Sequence, residues 1–143
     1  MGNKPAIAII QARMSSSRLP GKVMLPLAGE PVINHIVERA KLCKNIGDVI
    51  VATSKEKSDD PLADYCIENN IECYRGDLTN VLSRFVDILK LYDYDYYVRI
   101  TGDCPLIHPP FIDAQIKALK KFSGDLLWSN KQCPVLVGQG VVS

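Results

Sequence analysis

The chain has no excess of charge: 17 Lys+Arg stand against 16 Asp+Glu, a formal net charge of +1 over 143 residues. A field that weak neither gathers a nucleic acid nor holds a protein on an anionic membrane, so neither partner is expected and any anion site must be local. Long apolar runs are missing too. The run from Ala6 to Ile10 is far short of the roughly 20 residues that cross a bilayer, and no small-residue cleavage site of a secretory signal follows it. A cytoplasmic protein is expected. The five cysteines (Cys43, Cys66, Cys73, Cys104, Cys133) make no CxxC pair and have no histidine at metal spacing, which excludes a zinc-finger arrangement and reads as reduced, packed thiols. Glycine-rich phosphate loops are absent as well. Gly21-Lys22 imitates the end of GxxxxGK[ST], but Ser16 stands where the leading glycine belongs and Val23 where the hydroxyl belongs. No GxGxxG follows the first apolar run, so hydride chemistry on a nicotinamide is disfavoured. There is no internal repeat, low-complexity tract or linker.

What is present is the usage of one globular domain, 47% hydrophobic and 23% charged. Folding a chain of this length removes about two-thirds of its unfolded surface from water, enough for a sizeable core. Ala6 to Gln11 is apolar throughout and reads as a strand buried on both faces. Pro31 then opens a helical pattern through Ile33, Ile36, Val37, Ala40 and Cys43. A second strand spans Asp48 to Thr53, and Asp60-Pro61 supplies an N-cap and first turn for a helix to about Asn69. Glu72 to Arg75 is a third strand; Asn80 caps a helix carrying Leu82, Phe85, Val86 and Leu89; Tyr96 to Thr101 is a fourth strand. Pro109-Pro110 starts a helix with Ile112, Ile116 and Leu119, and Asp125 to Ser129 is a fifth strand. This alternation predicts an α/β fold, a mostly parallel sheet with helices on both faces and right-handed crossovers. Ligands of such sheets bind beyond the carboxyl ends of the strands, a rim that collects Gln11 to Lys22, Thr53-Ser54, Arg75 to Asn80 and Thr101 to Pro105.

The chemistry concentrates in the first of these segments. Arg13, Arg18 and Lys22 share one loop with Ser15, Ser16 and Ser17, and Pro20-Gly21 fixes a turn between them. Three cations beside exposed backbone N–H groups suit a polyphosphate, each charge-assisted bond contributing on the order of 1.5–3 kcal/mol. Three basic residues alone would more often be a solvated loop; the position at a strand exit favours a site. Asp103, in Thr101-Gly102-Asp103-Cys104-Pro105, falls on the same rim and can hold Mg²⁺ against phosphates, or it can be a turn aspartate. Its pairing with the loop favours the metal. Asp93-Tyr94-Asp95 copies a glycosyltransferase metal motif but precedes the fourth strand and so faces the opposite rim. Arg75-Gly76-Asp77 is a strand-to-helix turn, and His35 and His108 lack a nucleophile that would make either a general base. Tyr92, Tyr94, Tyr96 and Tyr97 have no interleaved basic patch and read as packing.

The run Ile10-Gln11-Ala12-Arg13-Met14-Ser15-Ser16-Ser17-Arg18-Leu19-Pro20-Gly21-Lys22 resembles the opening signature of the sugar-acid cytidylyltransferases, in their spore-coat polysaccharide protein F (SpsF-like) branch, near the CMP-Kdo and CMP-N-acetylneuraminate synthetases. Further matches follow at Leu27 to Ile33, Val51 to Ser54, Asp77 to Arg84 and Val98 to Ile107, so the resemblance covers about Ala6 to Asn130. It implies a fold of the nucleotide-diphospho-sugar transferase type whose first loop grips the triphosphate of CTP. Ala12, Arg13, Ser15, Arg18 and Lys22 would bind nucleotide, with Arg75 and Asn80 near the base. Lys22, Arg13 and Asp103 would be catalytic, and Asp103 would bind Mg²⁺. The implied reaction moves CMP from CTP to a sugar acid and releases pyrophosphate, in surface or spore-coat polysaccharide biosynthesis, and the implied assembly is a homodimer. Family members continue to an acidic segment of the Asp-Val-Glu kind and to sugar-binding and dimer-forming parts. The corresponding stretch here, Gly138 to Ser143, has no acid. Residues 1–143 are therefore expected to be one nucleotidyltransferase domain, the nucleotide-binding part of a longer enzyme. The alternative is a non-catalytic CTP- or CMP-binding module. A glycosyltransferase using a nucleotide-sugar is less favoured, because Asp93 and Asp95 are misplaced for it.

Overall fold

In the computed structural model of the chain, residues 6–128 and 140–142 are described. Along them run β1 (Ala6–Gln11), β2 (Pro26–Leu27), β3 (Glu30–Pro31), α1 (Val32–Lys41), β4 (Ile46–Ser54), α2 (Asp60–Glu68), β5 (Glu72–Gly76), α3 (Val81–Leu91), β6 (Tyr97–Thr101), α4 (Pro109–Phe122), β7 (Leu126–Trp128) and β8 (Gly140–Val142). Ala6 to Ile10 are each at most 1% exposed, as an unbroken apolar strand requires when both its faces are covered. Even and odd residues of β1 enter different cores. Ala6, Ala8 and Ile10 join the face packed by α1, α2 and α4, with Ile33, Ile36, Leu62, Cys66, Ile112 and Ile116. Ile7 and Ile9 join Ile50, Ala52 and Ile88, with Phe85 and Tyr97 packed alongside, so α3 covers the other face. Period-two side-chain placement turns one apolar string into two cores.

The six-stranded sheet has the order β5-β4-β1-β6-β8-β7. The first four strands are parallel; β8 is antiparallel to β6, and β7 is antiparallel to β8. The predicted α/β architecture with a mostly parallel sheet is what the chain adopts. From β1 the chain builds outward to β4 and β5, then returns to place β6 on the other side of β1. Adjacent connections diverge between β1 and β6, and a crevice opens at that switch point.

Several local expectations are corrected. Pro31 does not open the first helix: Leu27 pairs with Glu30 across a two-residue hairpin, and α1 begins at Val32. Ala28 and Gly29 both take positive φ, 51° and 92°, as the hairpin turn whose twist matches its strands demands. Asp60 is not the N-cap of α2 but its first residue, because Asp59 holds the cap position and turns its carboxylate into the protein. The fifth strand of the sequence reading, Asp125 to Ser129, is Leu126–Trp128 in the described residues, and β8 (Gly140–Val142) sits between it and β6. Cys133 and Ser129 lie outside the described residues, and Cys43, Cys66, Cys73 and Cys104 form no disulfide among the described residues. No helix among the described residues is long and apolar enough to cross a membrane.

Candidate functional site

Gln11 and Thr101 are register partners at the carboxyl ends of β1 and β6, so the loops that leave them start side by side. Gly102 N–H donates to Gln11 O at 2.8 Å, and a Cβ at position 102 would stand 2.9 Å from both that oxygen and Ala12 Cβ. Only glycine lets these two loops come so close. The loop after β1 is folded on itself: Met14 O accepts from Ser16 N–H at 2.9 Å and Gly21 N–H at 2.8 Å, and Gly21 takes φ 70°. Asp59 anchors it from the neighbouring strand exit. Buried completely, its carboxylate accepts from Met14 N–H at 2.7 Å, Ser54 N–H at 3.1 Å and the Ser54 hydroxyl.

These contacts enclose a cavity of about 230 Å³. The first loop contributes Ala12, Arg13, Ser16, Ser17, Arg18 and Lys22 to its wall, and Thr101 to Asp103 contribute the facing side. Lys22 Nζ donates to Asp103 Oδ2 at 2.9 Å, joining the two loops across the opening. That hydrogen bond, with help from Thr101, holds the Asp103 carboxyl below the usual carboxylate range against the opposing effect of its burial. Arg13 and Arg18 form no ion pair among the described residues. Ser15 is exposed and does not line the cavity; Ser16 and Ser17 do.

Two cations of the wall escaped the sequence reading. Arg84 comes from α3 and Arg99 from β6. Arg99 donates from Nη2 to Gln11 Oε1 at 3.0 Å and lies 5.8 Å above the Phe85 ring, while its Nε is buried without a partner among the described residues. Arg84 is 1% exposed; Nη1 approaches Ala52 O at 3.5 Å, and Nε and Nη2 have no partner among the described residues. Burial pulls the Arg84 guanidinium below its ordinary value; Asp59 and Asp77 oppose the shift and Arg13 adds to it. Helical spacing carried a signal for Arg84, which stands four residues before buried Ile88 and so occupies a core position. Arg99 is likewise a charge inside a strand whose neighbours Val98 and Ile100 are fully buried.

Arg75 and Asn80 are not brought to this cavity. Arg75 closes the β4–β5 exit, donating from Nε to Ser54 O at 2.8 Å and from Nη2 to Glu56 O at 3.0 Å and Asp60 Oδ1 at 2.7 Å. Asn80 caps α3, its side-chain oxygen accepting from Ser83 N–H at 3.0 Å. Asp77 spends its carboxylate on Thr79 and Asn80, which pulls its pKa down and makes Arg75-Gly76-Asp77 a turn. Asp93 and Asp95 precede β6 and lie at the opposite end of the sheet. His35 bonds Leu27 O at 2.6 Å and fastens α1 to the hairpin, and His108 is the exposed residue before α4.

The family model for cytidylyltransferases matches residues 7–135. The chain is 37% identical over 114 residues to the spore coat polysaccharide biosynthesis protein SpsF of Bacillus subtilis, covering 77% of this chain and 48% of that protein. It superposes on a cytidylyltransferase from Leptospira borgpetersenii with a TM-score of 0.87 and 30% identity, covering 98% of this chain and 60% of that one. A structure of CMP:2-keto-3-deoxy-manno-octonic acid synthetase complexed with CTP matches with a TM-score of 0.71 and 27% identity, over 85% of this chain and 50% of that one. The chain spans about half the length of the curated relatives it matches.

Proposed function

This chain belongs to the cytidylyltransferase family, and from that premise we propose that it is the nucleotide-binding part of an enzyme that transfers CMP from CTP to a sugar acid. The observation that carries the proposal is the cavity at the β1–β6 switch point, where Arg13, Arg18, Lys22, Arg84 and Arg99 surround one acid, Asp103. Such an excess of positive charge in a partly enclosed cavity suits a triphosphate. The likeness to SpsF suggests spore-coat or related surface polysaccharide biosynthesis as the setting.

In the proposed reaction a sugar hydroxyl attacks the α-phosphorus of CTP. A new oxygen–phosphorus bond forms as the hydroxyl gives its proton to water, the bond to the bridging oxygen breaks, and pyrophosphate leaves with that electron pair. The protein contributes position and fixed charge rather than covalent chemistry. Lys22 and the arginines hold the β- and γ-phosphates and stabilise the charge that gathers on the leaving group. Asp103 is the residue for Mg²⁺: its side chain is 48% exposed at the cavity mouth, and its partner Lys22, 29% exposed, lines the same cavity, where a phosphate would compete for it. No group of three or more ligating side chains occurs among the described residues. A single carboxylate suits Mg²⁺, which commonly takes one or two carboxylates and completes its shell with substrate oxygens and water. When bound, the ion would polarise the α-phosphate.

The test is to incubate the protein with Mg²⁺, each of the four NTPs and a panel of sugar acids, and to measure pyrophosphate. Release that depends on CTP and on one acid is expected; no CTP preference and no product would remove the enzymatic reading. The single carboxylate favours a second reading, a CTP-binding module without turnover. Calorimetric CTP binding together with silence against every sugar acid would select it.

A further inference from the structure

We propose that Cys73 and Cys66 form a peroxide-sensitive thiol pair outside the nucleotide cavity, in which Cys73 attacks the oxidant and Cys66 resolves the product into a disulfide joining β5 to α2. The sheet assembles the pair. Cys73 is the register partner of Val51, so both side chains leave the sheet on the face that α2 covers. Cys66 stands in the last turn of α2 and belongs to the same core cluster as Val51, and Cys73 packs against that cluster. Between the two cysteines the chain turns tightly: Asn70 takes φ 54°, and Ile71 N–H donates to Cys66 O at 2.8 Å. The thiols meet across this turn, the Cys66 S–H donating to the Cys73 sulfur.

Their surroundings give the two sulfurs different roles. Cys66 is fully buried, and the hydrogen bond it donates, with burial, raises its pKa, so it remains a thiol. Cys73 is half-buried on β5, an edge strand that a small oxidant can reach. The Cys66 hydrogen bond lowers the Cys73 pKa, and the Arg75 guanidinium, two residues along the same face, adds to this against burial and Asp59. Arg75 is fixed beside it by Ser54 O, Glu56 O and Asp60. Cys43 has the opposite setting: burial and Asp113 push its thiol up to about 12. The oxidant is hydrogen peroxide. The Cys73 thiolate attacks one peroxide oxygen, the O–O bond breaks, and hydroxide leaves with that electron pair and takes up the proton Cys73 had released; Cys73 is then a sulfenic acid. The Cys66 sulfur attacks the Cys73 sulfur, the S–S bond forms and the S–O bond breaks, and the departing hydroxide takes the Cys66 proton. Two thiols are oxidised and one peroxide is reduced to two waters. A dithiol reductant reverses the bridge, which makes the site a switch and not a lesion.

The experiment treats the reduced protein with hydrogen peroxide, unfolds it, alkylates the remaining thiols and maps the peptides without reductant. Digestion after glutamate separates the two cysteines, because Glu68 and Glu72 lie between them. Of the five cysteines, two should become resistant to alkylation, the linked peptides should be those of Cys66 and Cys73, and dithiothreitol should restore all five. The wild-type rate should rise with pH around a midpoint below the ordinary thiol value, near 8.5. In Cys66→Ala oxidation should stop at the sulfenic acid, which a dimedone probe labels at Cys73. In Cys73→Ser every remaining cysteine should stay alkylatable at the dose that converts wild type, since Cys66 is fully buried. Five alkylatable thiols after treatment, a bridge between other cysteines or between two chains, or a loss that dithiothreitol does not reverse would overturn the proposal. So would Cys73→Ser losing thiols as fast as wild type, a Cys66→Ala whose Cys73 takes no label, or a midpoint at or above the ordinary value. Should Cys66→Ala not fold, Cys66→Ser keeps the size and the donor and must take the same label. Neither cysteine lines the nucleotide cavity, so these outcomes stand apart from the CTP reading.

Discussion

At the β4–β5 strand exit the charged groups are answered from within the chain, whereas at the β1–β6 exit the cations outnumber their partners. Arg75 makes three hydrogen bonds between 2.7 and 3.0 Å, two to carbonyls and one to Asp60. Among the described residues Arg84 has one hydrogen-bond contact, at 3.5 Å, and two nitrogens without an acceptor. Both are arginines, but only Arg75 belongs to a rim segment that sequence alone marks as functional; Arg84 comes from within α3. Their difference separates scaffold from site: an arginine saturated by its own backbone has no donors aimed at a ligand, and one buried without acceptors awaits them. Asp59 connects the exits, holding Ser54 at the first and Met14 of the phosphate loop at the second.

The strongest way to break that division is to remove the connection. Asp59→Ala leaves three donors unsatisfied, two of them backbone N–H groups, with those of Ser54 buried and that of Met14 part-buried, and should cost about 3–5 kcal/mol of stability. Urea unfolding measures it; a loss under about 1 kcal/mol would show that water or a neighbour replaces the carboxylate and that the exits are not tied through it. On the ligand side, Lys22→Ala and Asp103→Asn should each lower turnover roughly 10²-fold with stability nearly unchanged, as loss of a preorganised charge commonly does. Pyrophosphate release within a factor of about three of wild type would take that residue out of the mechanism. Arg75→Ala sharpens the comparison from the other side. It should lower stability by about 1–2 kcal/mol, discounted because the side chain is 31% exposed, and leave CTP affinity alone. Weaker CTP binding in a variant of unchanged stability would return Arg75 to the site.

The sequence disclosed the elements whose cause is local. A continuous apolar string such as Ala6 to Ile10 can only be a doubly covered strand, and the exit of such a strand is where an anion site belongs. The loop from Ala12 to Lys22 was legible because its chemistry has no use in packing. What stayed hidden depends on contacts between distant segments. Ser58-Asp59-Asp60-Pro61 looks like a capping sequence, and only the approach of Met14, 45 residues earlier, shows that Asp59 faces inward. Arg84 was masked by the apolar residues around it, which read as an amphipathic face. Its meaning lies in what it fails to touch, which no spacing rule reports. Arg75 misled for the converse reason: a cation at a strand exit is a candidate until Ser54 and Glu56 are seen to occupy it. The placement of β8 between β6 and β7 required knowing that Gly140–Val142 forms antiparallel pairs on both sides.

The smallest effect tests whether the Lys22–Asp103 bridge is a latch of the site or a prop of the fold. Asp103 has a folded pKa below its ordinary value, chiefly through the Lys22 hydrogen bond. A depressed carboxyl contributes stability that is present above the unfolded carboxylate range, near pH 4, and is lost as pH falls through the folded value. Both partners are partly exposed, at 29% and 48%, so the contribution is screened and small. The melting temperature of wild type should therefore drop slightly more than that of Asp103→Asn as pH is lowered from about 5 to about 3, and the two should stay parallel between pH 6 and 8. Titration with pyrophosphate at pH 7 then separates the roles. If the bridge is a latch, Asp103→Asn frees Lys22 for phosphate and binds metal-free pyrophosphate more tightly than wild type. If it is a prop, the variant binds more weakly and melts lower across the whole pH range, and Lys22 joins Arg75 among the residues the fold has already claimed.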